Sequence, residues 1–576
     1  MQGVTIMTRE EKYKITSNEY TDLFVEYNRN LKFLDRFPGS TTHIINTRYA
    51  VAYVPASLLT EDFITQYSYS SLPNCYGLMS EKSLEASDVQ RLRRLPAYNL
   101  RGQGVFVAVI DTGIDYTNPI FRRTDGTSKI VALWDQTIGS DDQYPEGTFF
   151  GTEYNNEQIN QALSNQNPLE VVPSTDNIGH GTMLAGIAAG NEVPENEFSG
   201  VAPDSDLIIV KLKQAKTALR EFLQIPLDAN CYQENDILWA LDYVLKVARK
   251  FRRPVAICIG LGTSQGSLDG KGPLNNMLSF FGDFPGVAIT VPAGNEGNKR
   301  GHFFGTIPRT SRSSTVELNI GENESGFTME LWGTSPNTYS IDILSPTGEY
   351  IPQIVESLYT HRKIRFLFED TTIFVDYEIV GTHRGEQLIL IRFIAPSPGI
   401  WKINVYSRGG FTGNFHIWLP ISGFISDSTF FIRSDPTSTL TSPADAFSPI
   451  TVTSYNPESE VLFLEASKGF TSNNVIKPEL AAPGVDVIVP TLEQGFTTAS
   501  GTSIAAAHTT GISAMFLEWG IVKGNHKGID SIKIKKYLIR GAKRSSQLQY
   551  PNREWGYGII DVYNVFDIIR IGIPRR

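Results

Sequence analysis

The sequence predicts an α/β protein in which a parallel sheet is covered by helices on both faces, with an α+β segment before it and an antiparallel β-sandwich inserted into it. Two observations lead to this fold class. Apolar runs of strand length alternate with amphipathic helical patterns on both sides of the chain's middle, which is typical of a parallel sheet. In the middle, short alternating strands replace that pattern. The predicted units are residues 1–81, 82–305, 306–434 and 435–576, of which the second and fourth form one body.

The first unit, residues 1–81, combines apolar, β-prone stretches such as residues 44–54 with a short helix predicted at residues 58–67. In the body, a helix is predicted at residues 237–248, where apolar residues recur three to four apart, as expected for a helix packed on a sheet. Five apolar runs predict the strands of the body: residues 105–110, 207–212, 255–261, 287–291 and 449–453.

The inserted unit, residues 306–434, is predicted from short strands that are separated by turn residues. Such a series is typical of an antiparallel sandwich, and we interpret it as one of jelly-roll type. The predicted strands are residues 315–320, 327–332, 339–344, 363–368, 373–380, 387–393, 401–406 and 415–419.

Three short segments of the body carry side chains that together can make a hydroxyl nucleophilic. Asp111 follows the strand at residues 105–110, so it should lie at the carboxyl end of a strand, where sites form in open α/β sheets. His180 stands between two glycines and opens a predicted helix. Ser503 also opens a helix, so its backbone N–H is one of the unpaired donors there. A serine hydroxyl needs an imidazole to take its proton, and the imidazole needs a carboxylate to hold its tautomer.

Each segment alone also has a structural interpretation. The Asp-Thr-Gly at Asp111 could belong to an aspartic protease, but that chemistry needs two carboxylates and the sequence has no second copy. A histidine beside glycine, as at His180, is more often a turn or core residue. His508 is the closest competitor for the base, but it lies more than one turn beyond Ser503 on the same helix and should face away. The joint occurrence favours the catalytic interpretation.

In this order, Asp111-Thr-Gly, Gly-His180-Gly-Thr and Gly-Thr-Ser503 resemble the motifs of the subtilisin family of serine proteases. The resemblance implies acyl transfer, with these three residues as the catalytic triad. It also implies that Asn295, in Pro-Ala-Gly-Asn-Glu-Gly, is the second donor to the oxyanion. Neither a cofactor nor a catalytic metal is expected.

Gly260, Leu261 and Gly262 lie in a segment that resembles the family's substrate-lining strand. The resemblance implies that they capture an extended polypeptide by strand addition, which makes a polypeptide the expected substrate. Two residues depart from the family's pattern: Gly260 stands where many relatives have serine, and Ala507 stands where many have proline. Neither departure removes a catalytic group.

By the same resemblance, residues 1–81 are a prodomain that helps the catalytic domain to fold and leaves its tail, residues 71–80, in the substrate cleft. We expect self-cleavage within residues 75–82 and retention of the prodomain in the cleft. The sandwich resembles insertions in subtilases of spore-forming clostridia that act in germination. That resemblance implies limited proteolysis of a cortex-lytic hydrolase precursor, with the sandwich either rigidifying the enzyme or binding a partner.

Composition excludes several other partners. A net charge of −10 over 576 residues makes nucleic acid an unfavourable partner, and no run of 18 apolar residues predicts a membrane span. Residues 1–12 lack the apolar core of a secretion signal, so we expect an intracellular or spore-associated protein. The three cysteines are scattered, so no disulfide framework is implied. The histidines are not paired with cysteine or with one another in a way that suggests a metal site.

Two other functions stay open. A pseudoprotease, which senses a signal or acts as a scaffold, would keep the fold without turnover, and the intact set of catalytic residues argues against it. A broad degradative peptidase inside the cell would differ only in the range of its substrates. A retained prodomain would argue against that second alternative.

Overall fold

The computed structural model describes residues 7–37, 39–79, 81–82, 100–355, 360–380 and 386–572. At its centre these residues form a nine-stranded sheet whose inner strands run parallel, with an antiparallel pairing at each end, which confirms the predicted α/β body. The strand Leu480–Pro483 pairs in parallel with Ile450–Asn456 beside the main strand order. That order is Val461–Leu462, Ile450–Asn456, Val287–Pro292, Val255–Ile259, Phe106–Asp111, Asp206–Lys211, Ile130–Asp135 and Thr152–Asn155.

Helices cover both faces of the sheet because successive side chains of a strand point to opposite faces. Val107 packs in one core with the helices that contain His180 and Ser503, whereas Ala108 packs in the other core with the helix Glu234–Phe251. Among the described helices, none is long and apolar enough to cross a membrane. The α-helices in this part of the chain are Arg9–Thr16, Phe63–Tyr67, Asn156–Leu163, His180–Ala189, Thr217–Phe222, Glu234–Phe251, Pro273–Gly282, Thr502–Leu517, Ser531–Gly541 and Val562–Gly572.

The N-terminal unit has a three-stranded antiparallel sheet with short helices beside it. Phe24 and Tyr49 join the same core as the helix Glu234–Phe251, so this unit packs on the helical layer of the body. The helix predicted at residues 58–67 is shorter and begins at Phe63. Residues 1–6, 38 and 80 of the predicted unit lie outside the described residues. In sheet order, the strands are Tyr20–Glu26, Tyr49–Pro55 and Thr41–Ile44.

Towards the end of this unit the chain runs across the body as an extended segment. The strand Cys75–Leu78 lies antiparallel between Tyr232–Gln233 and Leu261–Gly262. Further on, the backbone of Glu81–Lys82 pairs with Phe496–Ser500. The segment therefore pairs with strands of the body both before and after residue 80 of the sequence. A separate three-stranded sheet consists of Val487–Pro490, Phe496–Ser500 and Glu81–Lys82.

The inserted unit consists of two antiparallel sheets that enclose one apolar core. All eight predicted strands have counterparts, and the described residues of this unit form three further strands that were not predicted: His302–Ile307, Tyr350–Ile354 and Phe430–Phe431. The first of these spans the boundary predicted between residues 305 and 306. The jelly-roll assignment and the unit boundaries stay predictions. One sheet has the order His302–Ile307, Gly413–Trp418, Gly326–Gly333, Gln387–Ile394, Thr372–Ile379 and Thr360–Arg365; the other has Tyr350–Ile354, Thr338–Leu344, Gly399–Arg408, Ser313–Ile320 and Phe430–Phe431.

Candidate active site

Asp111, His180 and Ser503 come from three separate elements and meet at the carboxyl end of a central strand. Asp111 ends the strand Phe106–Asp111, His180 opens its helix, and Ser503 is the second residue of the helix Thr502–Leu517. His180 Nδ1 lies 2.7 Å from Asp111 Oδ1, and His180 Nε2 lies 3.1 Å from Ser503 Oγ. All three residues are buried. This geometry fits an imidazole that carries its proton on Nδ1 and can accept the serine proton on Nε2.

Two local features bring the His180 helix against the end of the Asp111 strand. A Cβ at Gly181 would collide with the backbone of Gly113, so glycine is required for this close approach. The carboxylate of Asp176 caps the helix: its Oδ2 accepts the backbone N–H of Thr182 at 2.9 Å and the Thr182 hydroxyl at 2.8 Å. The position of the imidazole is therefore fixed by its helix as well as by Asp111.

The carboxylate of Asp111 is held through one of its two oxygens. Its Oδ1 accepts the backbone N–H of Thr112 at 2.8 Å in addition to the imidazole N–H. Its Oδ2 is buried and has no hydrogen-bond partner among the described residues. Gly260 lies beside it, because a Cβ there would be 2.9 Å from Asp111 Oδ2 and 3.0 Å from His180 Cε1. Gly260, which the sequence placed in the substrate-lining strand, thus contacts the proposed acid–base pair.

The predicted oxyanion site has two hydrogen-bond donors, the backbone N–H of Ser503 and the side-chain amide of Asn295. The backbone N–H of Ser503 donates to the carbonyl oxygen of Met79 at 3.2 Å. Asn295 is buried, and its Oδ1 accepts the backbone N–H of Thr502 at 3.2 Å and the Thr502 hydroxyl at 2.8 Å. Because both contacts use the amide oxygen, the amide nitrogen of Asn295 remains available as the donor that the sequence predicted.

The other two predicted substrate-binding residues bind an extended backbone, which is the chain's own tail. Leu261 pairs with Leu78, and Gly262 pairs with Gly77. On its opposite edge the tail pairs with Tyr232–Gln233, an element that sequence reasoning missed. A two-residue strand carries too little periodicity to be recognised in a sequence.

The side chain of Met79, whose carbonyl oxygen accepts the Ser503 N–H, is 1% exposed. The hydroxyl of Thr441 lies 3.9 Å from Met79 Sδ. A Cβ at Gly262 would lie 3.2 Å from Met79 Cε, so glycine leaves room for this side chain. Nothing in the sequence singled out Thr441, because its contact with Met79 links residues far apart in the chain.

Burial holds two of the three cysteines, Cys75 and Cys258, as neutral thiols. Burial raises the pKa of the Cys258 thiol to about 12 and that of Cys75 well above its usual range, so neither forms the reactive thiolate readily. All three cysteines are buried and free. In the part of the chain that the structure describes, no cluster of three or more His, Cys, Asp or Glu side chains could hold a metal ion.

Comparison with known proteins connects this geometry to a family. The subtilase family matches residues 102–225 and 412–558. Among solved structures, the Clostridium perfringens CspB protease is 30% identical, covers 85% of this chain and 100% of its own, and superposes with a TM-score of 0.74.

Curated relatives are more distant. Subtilisin-like protease SBT3 of Solanum lycopersicum is 23% identical over 467 residues, which are 73% of this chain and 55% of that protein. Subtilisin of Bacillus sp. (strain TA39) is 28% identical over 200 residues, 35% of this chain and 36% of that protein. The chain spans a little over half the length of the tomato protein. Since the match to the CspB protease extends over the whole of that chain, this protein belongs to the subtilase family of subtilisin-like serine proteases.

Proposed function

We propose that this protein is a serine endopeptidase that hydrolyses peptide bonds through an acyl-enzyme. The observation that carries the proposal is the bridging position of His180, 2.7 Å from Asp111 and 3.1 Å from Ser503. His180 Nε2 takes the hydroxyl proton as Ser503 Oγ attacks the scissile carbonyl, and Asp111 holds the imidazole and offsets its charge. His180 then gives that proton to the leaving amine, and water hydrolyses the ester by the same route.

Two donors stabilise the negative charge that develops on the carbonyl oxygen: the Ser503 backbone N–H and the Asn295 side-chain amide. The contacts from Thr502 fix the orientation of the Asn295 amide before substrate arrives. Loss of one such donor typically costs about 3 kcal/mol of transition-state stabilisation. No step of this scheme calls for a metal or a cofactor.

The enzyme's first substrate is its own chain, cut between Met79 and Ser80. The Met79 carbonyl oxygen already accepts the Ser503 N–H at 3.2 Å, as the oxyanion would. The tail pairs with the body on both sides of this bond, through Cys75–Leu78 and Glu81–Lys82. Ser80 itself lies outside the described residues. The proposed bond falls within the range of residues 75–82 expected from the sequence.

The N-terminal unit then stays bound as an inhibitor. Asp22 forms an ion pair with Lys216 of the body at 2.5 Å, and both side chains are buried. Asp22 Oδ2 also accepts the side-chain amides of Gln233 at 2.6 Å and Asn235 at 2.9 Å. The tail occupies the strand position between Tyr232–Gln233 and Leu261–Gly262. A second polypeptide cannot bind at this position until the tail leaves.

The wider role is limited proteolysis of a spore cortex-lytic hydrolase precursor during germination, in a spore-associated location. The inserted sandwich, which resembles insertions in germination subtilases of spore-forming clostridia, and the similarity to a protease of Clostridium perfringens support this assignment. An occupied cleft also favours a restricted enzyme over a broad intracellular degradative peptidase. The bridged Asp111, His180 and Ser503 favour catalysis over a pseudoprotease that only senses a signal or acts as a scaffold.

The test compares intact masses and denaturing gels of the purified wild type, Ser503→Ala and Ser513→Ala. Ser513 is the matched control, because it is buried on the same helix and its hydroxyl has no hydrogen-bond partner among the described residues. We expect wild type and Ser513→Ala to appear as residues 1–79 and 80–576, and Ser503→Ala to stay in one piece. The two fragments should elute together under native conditions.

Two results would overturn the proposal at different levels. If all three proteins stay intact and none reacts with a fluorophosphonate after mild urea treatment to release the tail, the protein is a pseudoprotease. If wild type is cut at a bond other than the one after Met79, the enzyme assignment stands and the assignment of the bond is wrong.

A further inference from the structure

Glu296, the residue after Asn295, links the oxyanion segment of the body to the inserted unit. Glu296 is 9% exposed, and both of its carboxylate oxygens accept the backbone N–H of Ser422, at 3.1 and 3.2 Å. The Ser422 hydroxyl donates to the same carboxylate at 3.2 Å. Ser422 lies in the connection between the sandwich strand Gly413–Trp418 and the short strand Phe430–Phe431. The two units are thus joined by hydrogen bonds directly beside a proposed catalytic group.

A carboxylate is a costly group to bury at this place. Burial raises the pKa of Glu296 to about 7, although the two donors of Ser422 and the ammonium group of Lys299 act in the opposite direction. An apolar side chain of similar size would fill the space without this cost. Once the carboxylate is present, removing it would leave the buried donors of Ser422 without their acceptor. Glu296 is therefore a polar link between the units and not part of an apolar core.

The body anchors the residues on both sides of Asn295 as well. Ser467 Oγ accepts the backbone N–H of Glu296 at 2.9 Å, and the Ser467 backbone N–H donates to the carbonyl oxygen of Gly294 at 2.8 Å. The hydroxyl of Thr502 accepts the backbone N–H of Gly294 at 3.1 Å. These contacts hold the backbone before and after Asn295, and the Glu296 side chain adds an anchor from the inserted unit.

The Asn295 amide depends on the position of Glu296 because the two residues share one planar peptide unit. Thr502 occupies the amide oxygen of Asn295, so the direction of the amide nitrogen is fixed only while the backbone of the segment stays in place. A catalytic group must be held within about 0.5 Å of its productive position. The contact between Glu296 and the inserted unit therefore bears on the rate of the reaction as well as on the assembly of the two units.

We propose that Glu296 is a positioning residue through which the inserted sandwich holds the Asn295 amide in the oxyanion site. This inference rests on the proposed function and deepens it, because it gives the sandwich a part in the acyl-transfer step. Glu296 acts through Asn295 and not on the substrate. It does so by tying the backbone at Asn295 to the connection that carries Ser422.

The test is a double-mutant cycle on self-cleavage, followed over time after pulse-labelled cell-free synthesis of the full chain. Asn295→Ala should slow cleavage by roughly a hundredfold or more, as the loss of one oxyanion donor does. Glu296→Ala should slow it by roughly tenfold, because a small displacement of that donor removes part of its effect. In the Asn295→Ala background, we expect Glu296→Ala to slow cleavage no further, since no amide is left to misplace.

Glu296→Gln is the conservative variant. Its amide oxygen can still accept the Ser422 N–H, whereas the second acceptor oxygen is lost. Its rate should therefore lie between those of wild type and Glu296→Ala, and it too should have no effect in the Asn295→Ala background. Urea unfolding of each variant on the Ser503→Ala chain shows whether it folds. If Glu296→Ala does not, the cycle with Glu296→Gln decides the question.

Glu324→Ala is the matched control. Glu324 is also 9% exposed and contacts the same connection, where its Oε2 accepts the Ser426 backbone N–H and the Thr429 hydroxyl, both at 3.0 Å. It belongs to the inserted unit, so we expect Glu324→Ala to be cut at the wild-type rate. Equal slowing by Glu324→Ala and Glu296→Ala would show a general loosening of the connection and would overturn the positioning role.

Three outcomes separate this inference from the proposed function. If Glu296→Ala is cut at the wild-type rate, or slows cleavage equally with and without Asn295, Glu296 does not act through Asn295 and the protease assignment stands. If Asn295→Ala is cut at the wild-type rate, the oxyanion role of Asn295 is wrong and this inference falls with it, whereas the triad stands. If wild type itself is not cut, the proposed function and this inference fall together.

Discussion

Gly260 lies against the buried side of the proposed acid–base pair, Asp111 and His180. One carbon added at Gly260 would displace these two side chains. A Cβ there would be 2.5 Å from Leu184 Cδ1, 2.9 Å from Asp111 Oδ2 and 3.0 Å from His180 Cε1. Leu184, Asp111 and His180 are all buried, and a shift of Asp111 or His180 would disturb the hydrogen bond between them. Gly260, which stands where many relatives have serine, is therefore part of the packing around the catalytic groups.

We accordingly expect Gly260→Ala to slow self-cleavage by roughly tenfold to a hundredfold, because small displacements of catalytic groups cost this much. The rate is measured by a time course of self-cleavage after pulse-labelled cell-free synthesis of the full chain. Gly139→Ala is the control, since a Cβ at Gly139 would meet nothing within 4 Å and its φ is not positive. Cleavage of Gly260→Ala at the wild-type rate would mean that the site relaxes around the added carbon without loss of geometry.

At the scale of elements, the strand Tyr20–Glu26 docks the N-terminal unit on the body through the buried carboxylate of Asp22 as well as the apolar side chain of Phe24. Asp22→Ala leaves the ammonium group of Lys216 buried without its carboxylate, a change that typically costs 3–5 kcal/mol. We expect the processed variant to lose its N-terminal fragment on a gel-filtration column at dilutions where the wild-type fragments elute together.

The control for that experiment is Glu26→Ala, which removes an exposed carboxylate from the same strand. It should leave the fragments together. Co-elution of the Asp22→Ala fragments would show that the apolar contacts of Phe24 and Tyr49 hold the unit without the ion pair.

Elements with a clear periodic pattern could be predicted from sequence, whereas several elements without one could not. The helix predicted at residues 237–248 is observed as Glu234–Phe251, because its apolar spacing repeats over several turns. The strand Tyr350–Ile354 has mainly exposed side chains and Phe430–Phe431 has two residues, so neither shows a usable alternation. Their existence depends on partners that are distant in the chain.

The candidate site divides in the same way. Asp111, His180 and Ser503 stand in local motifs, and the structure brings them within hydrogen-bonding distance of one another. Thr441 and Ile421 stand in no motif, and they reach the tail only through tertiary packing. The chemistry could therefore be predicted from sequence, whereas the shape of the cleft needed the structure.

At the scale of the whole molecule, the N-terminal unit, the body and the sandwich meet around a cavity of about 360 Å³, lined by Phe24, Glu234 and Trp332 among others. Glu234 is buried there, and its carboxylate accepts the backbone N–H of Asn74 in the tail at 3.2 Å and that of Leu274 at 2.9 Å. Burial raises the pKa of Glu234 to about 7. The carboxyl group of Glu234 thus links the tail to the body in an environment that disfavours its charged form.

This burial makes the stability of the assembled chain depend on pH. The pKa of Glu234 is higher in the folded protein than its ordinary value of 4.5, so the folded state binds the proton more tightly than the unfolded state. The contribution of Glu234 to the stability of the folded state is therefore fully present below pH 4.5 and is lost as the pH rises through about 7. The loss amounts to at most about 3 kcal/mol for a shift of this size.

The measurement is urea unfolding of Ser503→Ala, which keeps the chain in one piece, with and without Glu234→Gln at pH 5, 6, 7 and 8. Asp236 and Glu296, whose pKa values burial also raises, are present in both proteins, so the difference between them isolates Glu234. We expect Glu234→Gln to be the less pH-dependent of the two and to gain stability relative to its parent as the pH rises from 5 to 8. Glu10→Gln, at an exposed position, should follow the parent at every pH. Parallel curves for Glu234→Gln and its parent would mean that the carboxyl group keeps an ordinary pKa and that the junction of the three units admits enough water to solvate it.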